Sequence, residues 1–269
     1  MRNLLLFLCL LPVVGYCANA DTGRLKLHGD FVQGGLVRGH VPPGSTVYFD
    51  NEKIMLTDAG GFLIGFARDE PASVPLKVVL PSGEKLFRAI DVKQREYDIQ
   101  RINGLPDDEV NIPPADLKRI RADGAAVWKA RNHNSTRTDF LSGWIMPAKG
   151  PITGVYGSQR ILNGEPRRPH YGLDIAGPTG TPVIAPADGV VTMAQNLLLS
   201  GNVVIIDHGH GLSSTFLHMS SLAVEEGEPV KRGDKIGEIG QTGRATGPHL
   251  DWRMNLFDRR LDPALLLDE

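Results

Sequence analysis

The stretch Gly247-Pro248-His249-Leu250-Asp251-Trp252-Arg253-Met254 decides how the second half of the chain folds. From His249 onward polar and apolar residues alternate strictly. Successive side chains of a strand point to opposite faces, so His249, Asp251 and Arg253 share one face while Leu250, Trp252 and Met254 are buried on the other. At ~3.3 Å per residue, His249 and Asp251 lie about 6–7 Å apart along the strand, close enough to serve one site. Outward from this strand, short apolar runs recur at residues 181–186, 190–193, 203–207, 212–217 and 235–239, with glycines between them. That texture predicts a glycine-rich all-β domain over residues 141–269.

Upstream, residues 21–102 hold β-branched and aromatic runs at 47–49, 62–66, 76–80 and 86–92, punctuated by Pro42-Pro43-Gly44-Ser45, Asp58-Ala59-Gly60-Gly61 and Pro81-Ser82-Gly83. Strands every ten or so residues with turns between them predict a small β-sandwich. A linker over 103–140 follows, marked by Gly104, Pro106, Pro113 and Pro114. Within it, residues 116–132 read as a connector helix whose partial apolar stripe packs on a domain through Trp128. The expected class is therefore mainly β, with a sandwich, a connector helix and a second β domain.

The chain has 269 residues, 41% hydrophobic and 22% charged, with a formal net charge of -2. This argues against collagen-like, disordered, disulfide-scaffold and polytopic membrane classes. The near-neutral balance leaves no electrostatic footprint for nucleic acid. Residues 1–20 combine Arg2, an apolar run over 4–14 and the small-x-small triplet Ala18-Asn19-Ala20, the pattern of a secretory signal peptide cleaved near Ala20. About eleven apolar residues fall short of the ~20 that span a bilayer, so no transmembrane segment is expected in the mature chain. Cleavage removes Cys9 and Cys17, the two cysteines of the chain. The mature protein is expected to be exported to the periplasm or cell envelope, and any tightly bound metal must rest on histidine and carboxylate.

Five of the eight histidines, namely His170, His208, His210, His218 and His249, fall in the second β domain. His170-Tyr171-Gly172-Leu173-Asp174 is entered through Pro169. On a straight strand its ends would lie about 13 Å apart, too far to share an ion bound at ~2.0–2.2 Å; for both to reach one ion the segment is either helical or bent, and Pro169 before it and Gly172 within it favour the bend. His218 ends the apolar run of 212–217. His208 and His210 flank Gly209 before Gly211 and read as members of a tight turn rather than as ligands. His28 and His40 stand alone.

The order His-x-x-x-Asp, then a histidine in a His-Met-Ser turn, then Gly-Pro-His-Leu, resembles the lysostaphin-type (LytM-like) zinc metallopeptidases, which cut peptide bonds in bacterial peptidoglycan. The runs 180–191 and 230–234 match as well, and the resemblance covers roughly residues 141–263. Residues 21–102 look like the β-rich accessory domain that precedes this peptidase domain in some exported members. The resemblance implies that Zn²⁺ is the cofactor, that His170 and Asp174 ligate it, and that His218 and His249 handle the proton and stabilise the tetrahedral intermediate. The family's third ligand is the second histidine of a His-x-His, and that position here is Asp251. A carboxylate is a competent zinc ligand at a similar bond length, but it makes the site less positive and its bound water less acidic. Arg253 on the same face either restores positive charge near the metal or pairs with Asp251 and draws it away. The implied function is hydrolysis of peptidoglycan stem peptides or cross-links. The alternative is a degenerate member that binds peptidoglycan or activates another wall hydrolase, with the N-terminal domain as a docking point for a cell-wall partner. A lipoyl-type carrier, suggested by 185–191 and 230–239, lacks the lysine such a carrier must have in the hairpin between.

Overall fold

The computed structural model describes residues 23–103 and 114–267. The expected signal peptide and the linker positions Gly104, Pro106 and Pro113 lie outside the described residues. Among these residues no helix is long and apolar enough to cross a membrane.

The N-terminal part is a sandwich of two antiparallel sheets. One has the order Lys26–Gly29, Leu36–His40, Gly61–Gly65; the other runs Glu52–Ile54, Thr46–Phe49, Ser73–Val79, Lys85–Asp91. Alternating residues of both sheets, among them Val37, Phe62 and Ile64 from the first and Val47, Leu76 and Val78 from the second, close a single core. His28 and His40 lie exposed on this sandwich.

The C-terminal part is built on an eight-stranded antiparallel sheet. Its path runs Pro229–Val230, Gly189–Leu197, Gly201–Gly209, Leu212–Met219, His249–Leu256, Leu173–Ala176, Ile152–Gly154, and Arg259–Leu261 also pairs with His249–Leu256. The alternation in the His249 strand is realised in its two faces: Leu250, Trp252 and Met254 are fully buried in the core, while on the other face His249 and Arg253 are part-exposed and Asp251 is buried as well. They join Phe216, Ile175 and Ile206 in the main core beneath a three-stranded sheet of Pro182–Ile184, Lys235–Glu238 and Ser221–Leu222.

The connector helix spans Leu117–Arg131 and lies across the opposite face of the large sheet. It packs through Ala126, Val127 and Ala130 against Met193, Leu197, Val203 and Leu217. Trp128 is 61% exposed, which corrects the expectation that it anchors the helix. At 100° per residue, Trp128 sits on the far side of a helix whose 126/127/130 stripe faces the sheet.

The two β units are joined directly. Ile99–Ile102 pairs in parallel with Gln159–Leu162, Arg259 holds Glu70 with its Nη1 2.9 Å from both carboxylate oxygens, and Arg95 pairs with Asp262 at 2.7 Å. Tyr97 and Tyr156 meet edge to face at 6.3 Å in the same seam.

Candidate metal centre

The site forms where the bend and the alternating strand meet. His170 is fixed by its backbone, donating its N–H to the Ser158 carbonyl and accepting from the Gly157 N–H, both at 2.8 Å. The chain then bends at Gly172 and runs as the strand Leu173–Ala176, whose register sets Asp174 directly opposite Asp251. Facing like charges on a sheet repel, so this pair requires cations around it. His170 supplies one neighbour, with Nε2 3.2 Å from Asp174 Oδ1. Two glycines leave room for the carboxylates: a Cβ at Gly154 would lie 2.1 Å from Asp174 Oδ2, and one at Gly172 2.3 Å from Asp251 Oδ1.

One ligand atom from each of His170, Asp174 and Asp251 lies within 4.8 Å of the others, forming a His-Asp-Asp cluster able to hold a metal ion. Its chemistry fits a zinc-type ion. His170 Nε2 and Asp174 Oδ1 are both buried and have no hydrogen-bond partner, an arrangement that ordinarily costs about 1–3 kcal/mol per group. Two ligands bonded at 2.0–2.2 Å to a tetrahedral ion are about 3.4 Å apart, close to the 3.2 Å separation here. Burial pushes the His170 imidazole down, but contact with Asp174 and the charge of Asp251 outweigh it and leave its pKa raised.

Arg253 answers the alternatives left open by the sequence with both at once. Its Nε donates to Asp251 Oδ1 at 2.9 Å and to Oδ2 at 3.0 Å, and Nη2 also donates to Oδ2. Asp251 nevertheless remains within the cluster. A carboxylate offers about four acceptor positions, so three N–H bonds leave one for a metal. Burial would raise the Asp251 carboxyl, and the guanidinium beside it holds it below the ordinary carboxylate range. A dication with Asp174, Asp251 and Arg253 sums to one positive charge, the same as a dication with one carboxylate and two imidazoles.

His218 and His249 stand beside the cluster with ring centroids 4.9 Å apart, and His249 Nε2 is 3.9 Å from Asp174 Oδ1. A register shift in the Leu212–Met219 strand explains how His218 reaches this face. Leu217 packs under the helix and Met219 in the main core, so the bulge turns His218 to the same side as Leu217. Its φ of 65° is a left-handed value that costs a non-glycine residue of order 1 kcal/mol. Nδ1 of His218 lies 2.8 Å from the Thr242 carbonyl and Nδ1 of His249 2.8 Å from the Gly247 carbonyl. A carbonyl only accepts, so both Nδ1 atoms carry the proton and each neutral ring keeps its Nε2 lone pair. Burial pushes the His218 pKa down, against the opposing pull of Thr242 and Asp251; the ring is neutral at pH 7.

His208 and His210 are not in the cluster. His208 is fully buried between the Asp188 carbonyl at 2.6 Å and the Ser214 hydroxyl at 2.7 Å, and burial lowers its pKa to about 4. An unfolded histidine titrates near 6.5. The fold disfavours the protonated ring, so its stability contribution is complete above pH 6.5 and is lost as the pH falls toward 4. By pH 4.5 the loss is about 2–3 kcal/mol. Urea unfolding at pH 7 and pH 4.5 is expected to show this loss in the wild type and a flatter dependence in His208→Gln. Equal pH dependence in the two proteins would refute the assignment.

Sequence reasoning did not single out Thr242, which orients His218, nor the arginines at 131, 168 and 260, which gather near Arg253. Thr242 sits in Gly240-Gln241-Thr242-Gly243, a turn whose pattern carries no chemical signal of its own.

Residues 168–263 match the family model for Peptidase family M23. The peptidoglycan DD-endopeptidase ShyA of Vibrio cholerae is 45% identical over 101 residues, which cover 34% of this chain and 24% of ShyA. The DD-carboxypeptidase/endopeptidase Mpg of Neisseria meningitidis is 42% identical over 97 residues, 36% of this chain and 22% of Mpg. The matched stretch thus spans less than a quarter of the length of these curated relatives. A solved candidate M23 peptidase of Pseudomonas aeruginosa superposes with a TM-score of 0.69 at 29% identity, covering 88% of this chain and 94% of that one. That likeness takes in the sandwich as well as the C-terminal sheet.

Proposed function

We propose, on the match of residues 168–263 to the model for Peptidase family M23, that this chain is an exported zinc metalloendopeptidase that hydrolyses peptide bonds of bacterial peptidoglycan. Residues 141–269 form the peptidase domain and 21–102 an accessory domain joined to it by the 103–140 linker. Residues 1–20 direct export to the periplasm or cell envelope. The observation that carries the reading is the pair of buried, unpartnered atoms His170 Nε2 and Asp174 Oδ1, 3.2 Å apart beside Asp251.

His170, Asp174 and Asp251 would hold the zinc, which would supply polarisation of the scissile carbonyl and acidification of water. His218 takes up a proton at Nε2, its low basicity keeping that atom free at neutral pH. Its Nδ1–H, held on the Thr242 carbonyl, stops the ring from turning away. His249, anchored in the same way on Gly247, presents its Nε2 toward Asp174; only with a proton on that nitrogen does it donate to the charge that develops on the substrate oxygen. Arg253 keeps Asp251 ionised and oriented.

Support for the substrate comes from the peptidoglycan endopeptidases that the matched residues resemble. Protein expressed with zinc supplementation is expected to carry about one equivalent of zinc by elemental analysis. It is also expected to release peptide-bearing fragments from purified peptidoglycan, detected by mass analysis, with release abolished by a chelator. Less than one-tenth equivalent of zinc with no fragments released would exclude the enzyme and favour a binding or activating role.

A further inference from the structure

A cavity of about 390 Å³ lies between the connector helix and the large sheet and is linked to the metal cluster through Arg253, which lines it and bonds Asp251. Four arginines line it: Arg131 from the helix, Arg168 from the segment before His170, and Arg253 and Arg260 from the sheet. Concentrating guanidinium groups in a partly enclosed space is unfavourable unless an anion joins them. Arg253 is satisfied by Asp251. Among the described residues the other three form no ion pair. Arg131 is buried, with only the Thr215 hydroxyl, at 3.3 and 3.2 Å from Nε and Nη2, as a side-chain partner. Among the described residues the Arg260 guanidinium donates to Asn255 Oδ1 at 3.3 Å and lies 5.6 Å from the Tyr171 ring centroid.

Two carboxylates also line the cavity. Asp123 is taken by Arg119 and by the Leu198 N–H, both at 2.7 Å. Among the described residues Asp258 forms no ion pair with these arginines, and its charge only partly offsets the guanidiniums around Arg260. The imbalance registers on the arginines themselves: burial and the neighbouring guanidiniums lower Arg131 well below its ordinary value and bring Arg260 to about 10.

We propose that this cavity is a carboxylate-binding subsite in which Arg131, Arg168 and Arg260 take the free carboxylate of a peptide lying across the His170–Asp174–Asp251 cluster. Planar guanidinium forks match carboxylate geometry, and a volume near 400 Å³ suits a small ligand group. Arg253 lies two residues along the strand from Asp251, about 6–7 Å. A peptide rises about 3.3–3.6 Å per residue, so the carboxylate recognised lies one or two residues from the scissile bond. The identity of the anion as a peptide rests on the peptidase reading; the existence of an anion subsite does not.

The test is calorimetric titration of the full chain, treated with chelator so that no metal competes for the probe, with acetyl-D-alanyl-D-alanine and its C-terminal amide at equal ionic strength. The acid is expected to bind at least tenfold more tightly than the amide, and the Arg168→Gln/Arg260→Gln double variant to erase that preference with an unchanged circular dichroism spectrum. If the double variant does not fold, Arg168→Gln alone, altering an exposed side chain, is expected to reduce the preference at least threefold. Equal binding of acid and amide, or a preference that survives these substitutions, overturns the subsite. A protein that discriminates acid from amide but does not cut peptidoglycan fails the peptidase reading alone. An active peptidase without discrimination fails the subsite alone.

Discussion

His218→Ala is expected to lower kcat/KM for peptidoglycan hydrolysis by about 10²–10⁴-fold, the range that a positioned general base contributes, while zinc content stays at the wild-type level. The separation follows from position. His218 is outside the His-Asp-Asp cluster, yet it is held against His249 beside it with its Nδ1 fixed on Thr242. Removal therefore takes away a proton acceptor without removing a ligand. His218→Gln is expected to recover little, because an amide nitrogen or oxygen does not take up a proton near pH 7. Parallel measurement of zinc by elemental analysis and of fragment release by mass analysis decides the matter. Identical fragments at equal rates from wild type and variant would refute the role of His218, and loss of zinc would reassign it as a ligand.

Arg253→Met is expected to produce a larger structural effect. Asp251 is 3% exposed, and Arg253 is its ion-pair partner. Breaking a fully buried pair costs about 3–5 kcal/mol because the remaining charge is left alone. Arg253 keeps about a quarter of its side chain exposed, so a loss of about 2–3 kcal/mol is expected in the metal-free protein. Zinc should reverse much of it, since the freed acceptor positions of Asp251 then face the cation. The rise in Tm on zinc addition is expected to be larger in Arg253→Met than in wild type. A rise equal to or smaller than that of wild type would show that Arg253 does not compete with the metal for Asp251.

The alternating residues 249–254 made the central strand legible, because a strand with one face in an apolar core and the other lining a polar site imposes a period of two that few other environments do. The bend at Gly172 was legible for a different reason: a straight strand cannot bring His170 and Asp174 to one ion. Other features depend on distant partners and leave no local mark. The strand Leu36–His40 lies outside the runs at 47–49, 62–66, 76–80 and 86–92, and its Gly39 lacks a Cβ because the Phe62 ring packs directly over it. The bulge that turns His218 outward is set by pairing with Gly201–Gly209, not by its own neighbours. Trp128 misled because size suggests burial, while the helix turns it away from the sheet. The arginine cavity draws on the helix, the approach to His170 and two strands, a convergence that no window of the sequence contains.

The strand Ile99–Ile102 lends its edge to Gln159–Leu162 across the whole of the connector, and this restricts how such a chain can be reshuffled over generations. A recombination joint placed anywhere in the connector would hand Gln159–Leu162 a foreign neighbour or none, and an unpaired edge invites association with other chains. The two halves are therefore passed on as a couple rather than as interchangeable beads. A change at residues 99–102 is transmitted through the paired backbones to the loop that leads to His170.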